Sequence, residues 1–364
     1  MRGMPSDQTR CRTVTSRPHR RQRFPRPAGS ATKSGCRCRE TPTTLLSMQV
    51  HMPDLSPWGV DASDAQARRP ARGTNNDVRI IDVRTGRFVW RRYDNLSVEQ
   101  VRTEHLLLEW LNARELPFQL PRPLRTLDGT TVLTLTDGRA VALQTLIHGR
   151  NPDDSDREAL LTATGFTTLL RALAEAPQQL APSDWMETRL RDIHGGVDDL
   201  DDVLGRLSRY GADVRWLRET LAREDDVSCA LRALPQQIVH GDIGRSNALT
   251  DGARITGLLD FEIAGWDARI SDVGTALLSL GGDPATAEGR ASIRTLMQQF
   301  TTMLDLSSEE LEVVPEVVRQ RLAGSVIWGA GRWLRSRQGT IDEVVDRLHA
   351  GAAHVGHLSA YTAS

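Results

Sequence analysis

The stretch VHGDIGRSNALTDGARITGLLDFE, Val239 to Glu262, places His240, Asp242, Asn247 and Asp260 among small and apolar residues. It reads as strand, loop, strand, Asp-Gly turn and strand. Carboxylates and an amide set among strand-forming residues cost folding energy unless a site uses them. The spacing H-x-D-x-x-x-x-N, followed after a hairpin by Leu-Leu-Asp-Phe-Glu, suits phosphoryl transfer. That chemistry asks a protein to align a hydroxyl, hold Mg²⁺ and neutralise phosphates rather than form covalent bonds. One Asp takes the proton of a hydroxyl or orients it. An Asn and a second Asp supply the few hard oxygen ligands that Mg²⁺ takes from protein.

Outward from this segment the chain divides in two. Residues 71–95 read as a polar turn, a strand near Val78–Val83, a Thr-Gly turn and a strand near Arg87–Tyr93. SVEQVRTEHLLLEWLNARE, residues 97–115, is a helix in which Ser97 and Gln100 match a capping box and Val101, Leu108 and Leu111 share a face. Residues 122–147 hold three strand-like pieces separated by Asp128-Gly129 and Asp137-Gly138 turns. From Asp156 the pattern is mostly helical: 156–176, WMETRLRDI, the 199–222 region, 286–304, 308–337 and 341–350, interrupted by the strands of Gln236–Asp260. The expectation is an α+β fold of two lobes, a small antiparallel β lobe with one helix and a larger helical lobe, with a cleft between them.

The 364 residues suffice for either one large domain or two ordinary ones. Hydrophobic residues at 39% and charged residues at 26% indicate a soluble globular protein, and no apolar run is long enough to span a membrane. The formal net charge of −1 hides an asymmetry: residues 1–45 carry +9 and the remainder −10. An acidic body argues against nucleic acid as the main partner. The Arg-, Pro- and Ser-rich beginning has no apolar periodicity, so residues 1–52 are expected to be a disordered basic extension, with Met48 or Met52 as alternative chain starts. Its composition also resembles a transit peptide. Residues 53–147 would then form the nucleotide-binding β lobe and 148–364 the helical lobe with the catalytic loop and acceptor site. Three of the four cysteines lie in the extension and Cys229 stands alone, so there is no disulfide framework, which fits a reducing cytoplasm.

HGDIGRSN followed by LLDFE resembles the kinase-like small-molecule phosphotransferases: aminoglycoside phosphotransferases, choline kinases and the homoserine-kinase-like branch. The resemblance spans about residues 57–350 and implies a protein-kinase-like fold and ATP-dependent transfer of phosphate to a hydroxyl of an aminoglycoside, an amino alcohol or a hydroxy amino acid. It implies that Asp242 is the catalytic base or the group that orients the hydroxyl, that Asn247 and Asp260 hold Mg²⁺, that His240 braces the loop, and that Asp272 in RISDVGTALL supports it. It likewise implies that backbone N–H groups near Thr74, Asn75 and Asn76 cradle phosphate. In the family a cation on the third strand pairs with a helix Glu. Lys33 is the only lysine in the chain, so arginine fills that position. Strand parity sets Val89, Arg91 and Tyr93 on one face and Phe88, Trp90 and Arg92 on the other. The family spacing favours Arg91, with Glu104 as its partner. Gln144 through Ile147 fall at the inter-lobe hinge, where the resemblance implies that Gln144 and Leu146 contact the nucleotide, and Gly149 would let the chain turn.

The acceptor is not named by these motifs. VDDLDDVL, with Asp198, Asp199, Asp201 and Asp202, reads either as a site for a cationic substrate or as a solvated helix face. Trp185, Trp266, Trp328, Arg332 and Trp333 read either as cleft lining or as core. A protein kinase would carry an A-P-E segment that is absent here. A catalytically inactive nucleotide-binding protein is the competing reading, and it would be expected to have lost Asp242, Asn247 or Asp260.

Overall fold

The computed structural model describes residues 52–70, 76–210, 213–336 and 340–362. The expectations for the basic extension, Thr74 and Asn75 fall outside these residues.

The first lobe is a five-stranded sheet built from β1 (Gln66–Arg68), β2 (Asp77–Val83), β3 (Gly86–Arg92), β4 (Leu133–Thr134) and β5 (Ala140–Thr145), in the order β1-β2-β3-β5-β4. Among the described residues its strand pairs are all antiparallel; β2 and β3 form a tight hairpin with Ile80 opposite Val89. Helix α1 (Val98–Asn112) lies between β3 and β4 in sequence, and its start carries the expected reciprocal Ser97–Gln100 capping box. Segment 122–127 is not a strand of the sheet; it touches β5 only through a bridge between Pro123 and Gln144. Pro121 and Pro123 explain this, because proline removes ladder donors.

Strand parity divides the lobe into two apolar layers. Trp90 packs with Leu55, Trp58, Ile81, Val141 and Leu143, whereas Tyr93 packs on the other side with Val101, Val132, Ala140 and Ala142. Arg91 therefore faces the second lobe.

The second lobe contains α2 (Asp156–Ala174), β6 (Ser183–Asp184), α3 (Leu200–Arg209), α4 (Arg215–Ala222), α5 (Glu224–Arg232), β7 (Gln236–Val239), β8 (Ala248–Thr250), β9 (Ile255–Leu258), β10 (Gly265–Ala268), α6 (Ile270–Leu280), α7 (Ala287–Leu304), α8 (Ser308–Ser336) and α9 (Ile341–Val355). WMETRLRDI does not form the expected helix. Trp185 follows β6, which pairs in parallel with β10, and only Leu190–Asp192 makes a single 3-10 turn. Strands β8 and β9 form the expected hairpin, while β7 pairs instead with β10, a strand not anticipated from sequence.

One apolar core joins α1, α2, the β7–β9 region and α6–α8 through Leu108, Phe166, Ile238, Leu258, Phe261, Val273 and Val318. A second is made by α3, α4, α8 and α9 around Leu207, Leu217, Ile327 and Leu348. Helix α8 contributes to both and is the beam that connects them. The chain enters this lobe at Gly149, whose φ of +152° and close approach to Thr256 and Leu249 leave no room for a side chain. Among the described residues no helix is long and apolar enough to cross a membrane.

Candidate active site

The loop after β7 is fixed from three directions. Asp272, fully buried at the start of α6, accepts the backbone N–H of His240 at 2.6 Å and of Gly241 at 2.8 Å. Burial pushes its carboxyl up, and His240 and the two N–H donors pull against that. Gly241 adopts φ +82°, and a Cβ there would meet the Ile263 carbonyl at 2.6 Å, so the turn needs glycine.

His240 provides the second constraint. Its ring is completely buried between Phe166 and Phe261, edge to face with both. Nδ1 accepts the Asp242 backbone N–H at 3.2 Å, which leaves the proton on Nε2, 2.9 Å from the Leu259 carbonyl. The imidazole thus ties the loop to the strand end that carries Asp260.

The third constraint is Asn247. Its Nδ2 donates to the Asp242 carbonyl and to Asp242 Oδ2, both at 2.8 Å. Its own carbonyl accepts the Leu259 N–H at 2.8 Å, so Asn247 and Asp260 are brought side by side. Both amide protons point at Asp242, and Oδ1 is the end left to meet a cation. Asp260 has φ +65°, an unusual conformation for a residue other than glycine, and its side chain is one-third exposed.

Across the cleft, one Nη of Arg91 reaches Asp260 Oδ1 at 2.6 Å and Glu262 Oε2 at 2.7 Å, and the guanidinium lies over the Tyr93 ring. Glu262 also accepts from Asn76 Nδ2, and the Asn76 side-chain oxygen accepts the Asp94 N–H. Burial pushes the Glu262 carboxyl up; Arg91 holds it down in opposition. The expected Arg91–Glu104 pair is not formed. Glu104 Oε2 and Arg91 Nε are both buried without a hydrogen-bond partner among the described residues. Burial raises the Glu104 carboxyl from the ordinary 4.5 to about 8, more than the nearby Arg91 charge can offset. The two acids that engage Arg91 come from the second lobe, 169 and 171 residues away, so the cation bridges the lobes instead of pairing within the first.

Parity holds for the neighbours of Arg91. Arg92 turns outward to Asp94 and Asp77. Gln144 is buried, with Nε2 3.5 Å from the Tyr93 hydroxyl, and the Leu146 N–H donates to the Arg87 carbonyl at 3.3 Å. A separate cavity of about 710 Å³ beside the hinge is lined by Gln119, Thr145, Leu146, His148 and Thr256 and contains none of Asp242, Asn247 or Asp260.

The acidic run behaves as a helix start and a solvated face. Asp199 caps α3, Asp202 pairs with Arg206 and Asp201 is mostly exposed beside Arg218. Trp333 packs into the second core, Trp328 stands edge to face with His194, and Trp266 on β10 donates to Gln236. Trp185 lies nearer the loop: its indole N–H donates to the Ile263 carbonyl, the same oxygen that crowds Gly241.

Two residues of the cleft escaped the sequence reading. Glu262 was visible as the third letter of Asp-Phe-Glu, where parity puts it beside Asp260. Arg321, in the middle of α8, donates from Nη2 to Asp242 Oδ1 at 2.7 Å, and no local motif marks it.

A sequence profile described as the phosphotransferase enzyme family matches residues 66–298, a span that runs from β1 through the loop and strand end into α7. The chain belongs to the phosphotransferase enzyme family. Among curated relatives, the phosphotransferase is 24% identical over 276 residues to a homoserine kinase of Brucella anthropi, covering 74% of this chain and 80% of that one. It is 28% identical over 216 residues to a homoserine kinase of Acidiphilium cryptum, covering 58% and 64%. Among solved structures, a microcompartment-associated aminopropanol kinase superposes with TM-score 0.61 at 16% identity, over 85% of this chain and 97% of that one. An amicoumacin kinase in complex with AMP-PNP, Ca²⁺ and Ami gives TM-score 0.61 at 12% identity, over 82% and 90%. The two-lobed kinase-like fold of the phosphotransferase is thus shared with small-molecule kinases.

Proposed function

We propose that this chain is an ATP-dependent kinase that moves the γ-phosphoryl group to a hydroxyl of a small molecule, with Asp242 as the base. The observation that carries this is the Asp242 carboxylate, held by Asn247 on a loop braced by His240 and Asp272, next to Asp260 at the neighbouring strand end. Asp242 takes the hydroxyl proton as the acceptor oxygen bonds to phosphorus and the bond to the ADP oxygen breaks.

The donor set fits a nucleotide and its metal. Asn247 and Asp260 supply hard oxygens, and Mg²⁺ takes few ligands from protein. Held there, Mg²⁺ would supply positive charge to offset that of the phosphates. Arg91 Nε is a buried donor with no hydrogen-bond partner among the described residues, as a phosphate-binding cation would need. Asn76 is tied to Glu262 at the cleft, and Thr74 and Asn75 are proposed to cradle phosphate. The hinge backbone at Gln144 and Leu146 is proposed to border the adenine. Glu104 is proposed to act from behind Arg91, as a buried acid.

The relatives point to acceptors of the hydroxy amino acid or amino alcohol class, with aminoglycosides the third class that the motifs imply, and a small soluble acceptor needs neither membrane nor nucleic acid. Nothing in the site favours the inactive alternative, since Asp242, Asn247 and Asp260 are all in place. The test is ADP release with Mg²⁺ against homoserine, threonine, choline, amino sugars and aminoglycosides. Turnover on one acceptor, lowered by about 10²-fold or more in Asp242→Asn while nucleotide binding persists, is the expected result. Undiminished turnover in Asp242→Asn would remove Asp242 from this role.

A further inference from the structure

Both oxygens of the Asp242 carboxylate are occupied. Asn247 holds Oδ2 and Arg321 holds Oδ1. The Asn247 bond belongs to the loop. The Arg321 bond does not: it comes from the middle of α8, 79 residues away, between two side chains that are each partly exposed to the cleft. Among the described residues this is the single hydrogen bond of the Arg321 side chain, so most of its five donors are left for something else.

A cation at this place has a consequence for the acceptor. The hydroxyl must come to Asp242, so the rest of the acceptor lies within a few ångströms of the Arg321 guanidinium. An ammonium group brought there is repelled. A carboxylate is attracted and can take two parallel N–H bonds from the planar fork. A carboxylate oxygen has two acceptor sites, so Asp242 Oδ1 can receive the hydroxyl while Arg321 turns its other donors to the acceptor. The acids at 199–202 that would serve a cationic acceptor are committed to capping α3 and to pairing with Arg206 and Arg218.

We infer that the acceptor is a hydroxy acid, and that Arg321 binds its carboxylate while presenting its hydroxyl to Asp242. This rests on the kinase reading above and narrows it. The relatives named for homoserine and for aminopropanol differ in this very group, and Arg321 decides between them.

The test uses the full chain and matched pairs of acceptors: L-homoserine against 3-aminopropan-1-ol, which is homoserine without its carboxylate, L-serine against ethanolamine, and glycerate against ethylene glycol. The readout is the ratio of kcat/KM for acid over its partner. The native chain is expected to favour one acid over its partner by roughly tenfold to a hundredfold, the worth of a hydrogen-bonded charge. In Arg321→Met that ratio falls toward one, chiefly through KM for the acid, and Arg321→Lys restores part of it. A structural brace on Asp242 would instead lower both members of a pair alike. Equal loss on both members, preference for the amine or diol, or a panel in which amines and aminoglycosides are phosphorylated but no acid is, would each overturn the inference and leave the kinase reading standing. Absence of Mg²⁺-dependent nucleotide binding is the distinct result that overturns both.

Discussion

Arg91 and Asp260 meet across the cleft at 2.6 Å, one from the third strand of the first lobe and the other from the strand end of the second. The same nitrogen reaches Glu262, so a single guanidinium ties two acids of one lobe to the sheet of the other. Arginine suits this place because its fork can keep one acid while another donor turns to phosphate. The buried Nε, without a hydrogen-bond partner among the described residues, is such a donor.

This bridge has a stability consequence. The side chains of Arg91 and Glu262 are 10% and 7% exposed, so little water can replace either partner. Arg91→Met should lower the unfolding free energy by about 3 kcal/mol, the usual loss when one member of a buried pair is left behind. Arg91→Met with Glu262→Met should recover much of that. A double-mutant cycle by urea unfolding measures it, and additive effects of the two changes would show that the pair is not coupled.

Asp272 is expected to matter through geometry. In Asp272→Asn one of the two acceptors for His240 and Gly241 becomes a donor, and the orphaned N–H should cost about 1–3 kcal/mol. The loop that presents Asp242 then loses its fixed position. Thermal unfolding should shift down, and kcat should fall by a larger factor than nucleotide affinity, which depends on this loop only through Asn247. A fall in nucleotide affinity with kcat preserved would contradict this assignment.

Glu104 gives a pH signature of a definite sign. Its carboxyl titrates at about 8 in the folded chain against an ordinary 4.5. Between those values the folded state holds a proton that the unfolded state has released, so stability declines as pH rises from about 4.5 to about 8. Glu104→Gln should abolish this component. Comparing native and variant unfolding free energies at pH 5 and pH 8 isolates it from other groups, His105 among them, whose imidazole burial lowers to about 4. A difference that does not change with pH would mean that Glu104 is ionised when buried.

The helix of residues 98–112 and the β2–β3 hairpin were legible because their signals are local: a capping box, a Thr-Gly turn and strand alternation. The error at WMETRLRDI has the opposite cause. Its composition favours a helix, but Ser183 and Asp184 pair with β10, and the Trp185 indole bonds the Ile263 carbonyl, so tertiary contacts outweigh a weak local preference. The missing strand near residue 123 was an overreading of a turn, with two prolines against it.

Local spacing alone placed the His240–Asn247 loop, the strand end that faces it, the order of the lobes and the side of β3 on which the cation stands. Each of these depends on spacing within a few residues, where chain geometry leaves few choices. Only the tertiary structure decided the partners. Arg91 takes Asp260 and Glu262 instead of Glu104, and Arg321 comes to Asp242 from a helix 79 residues on. Such pairings follow from how the lobes and α8 pack, and a charge at the surface of a helix carries no local signal of the acid it will meet.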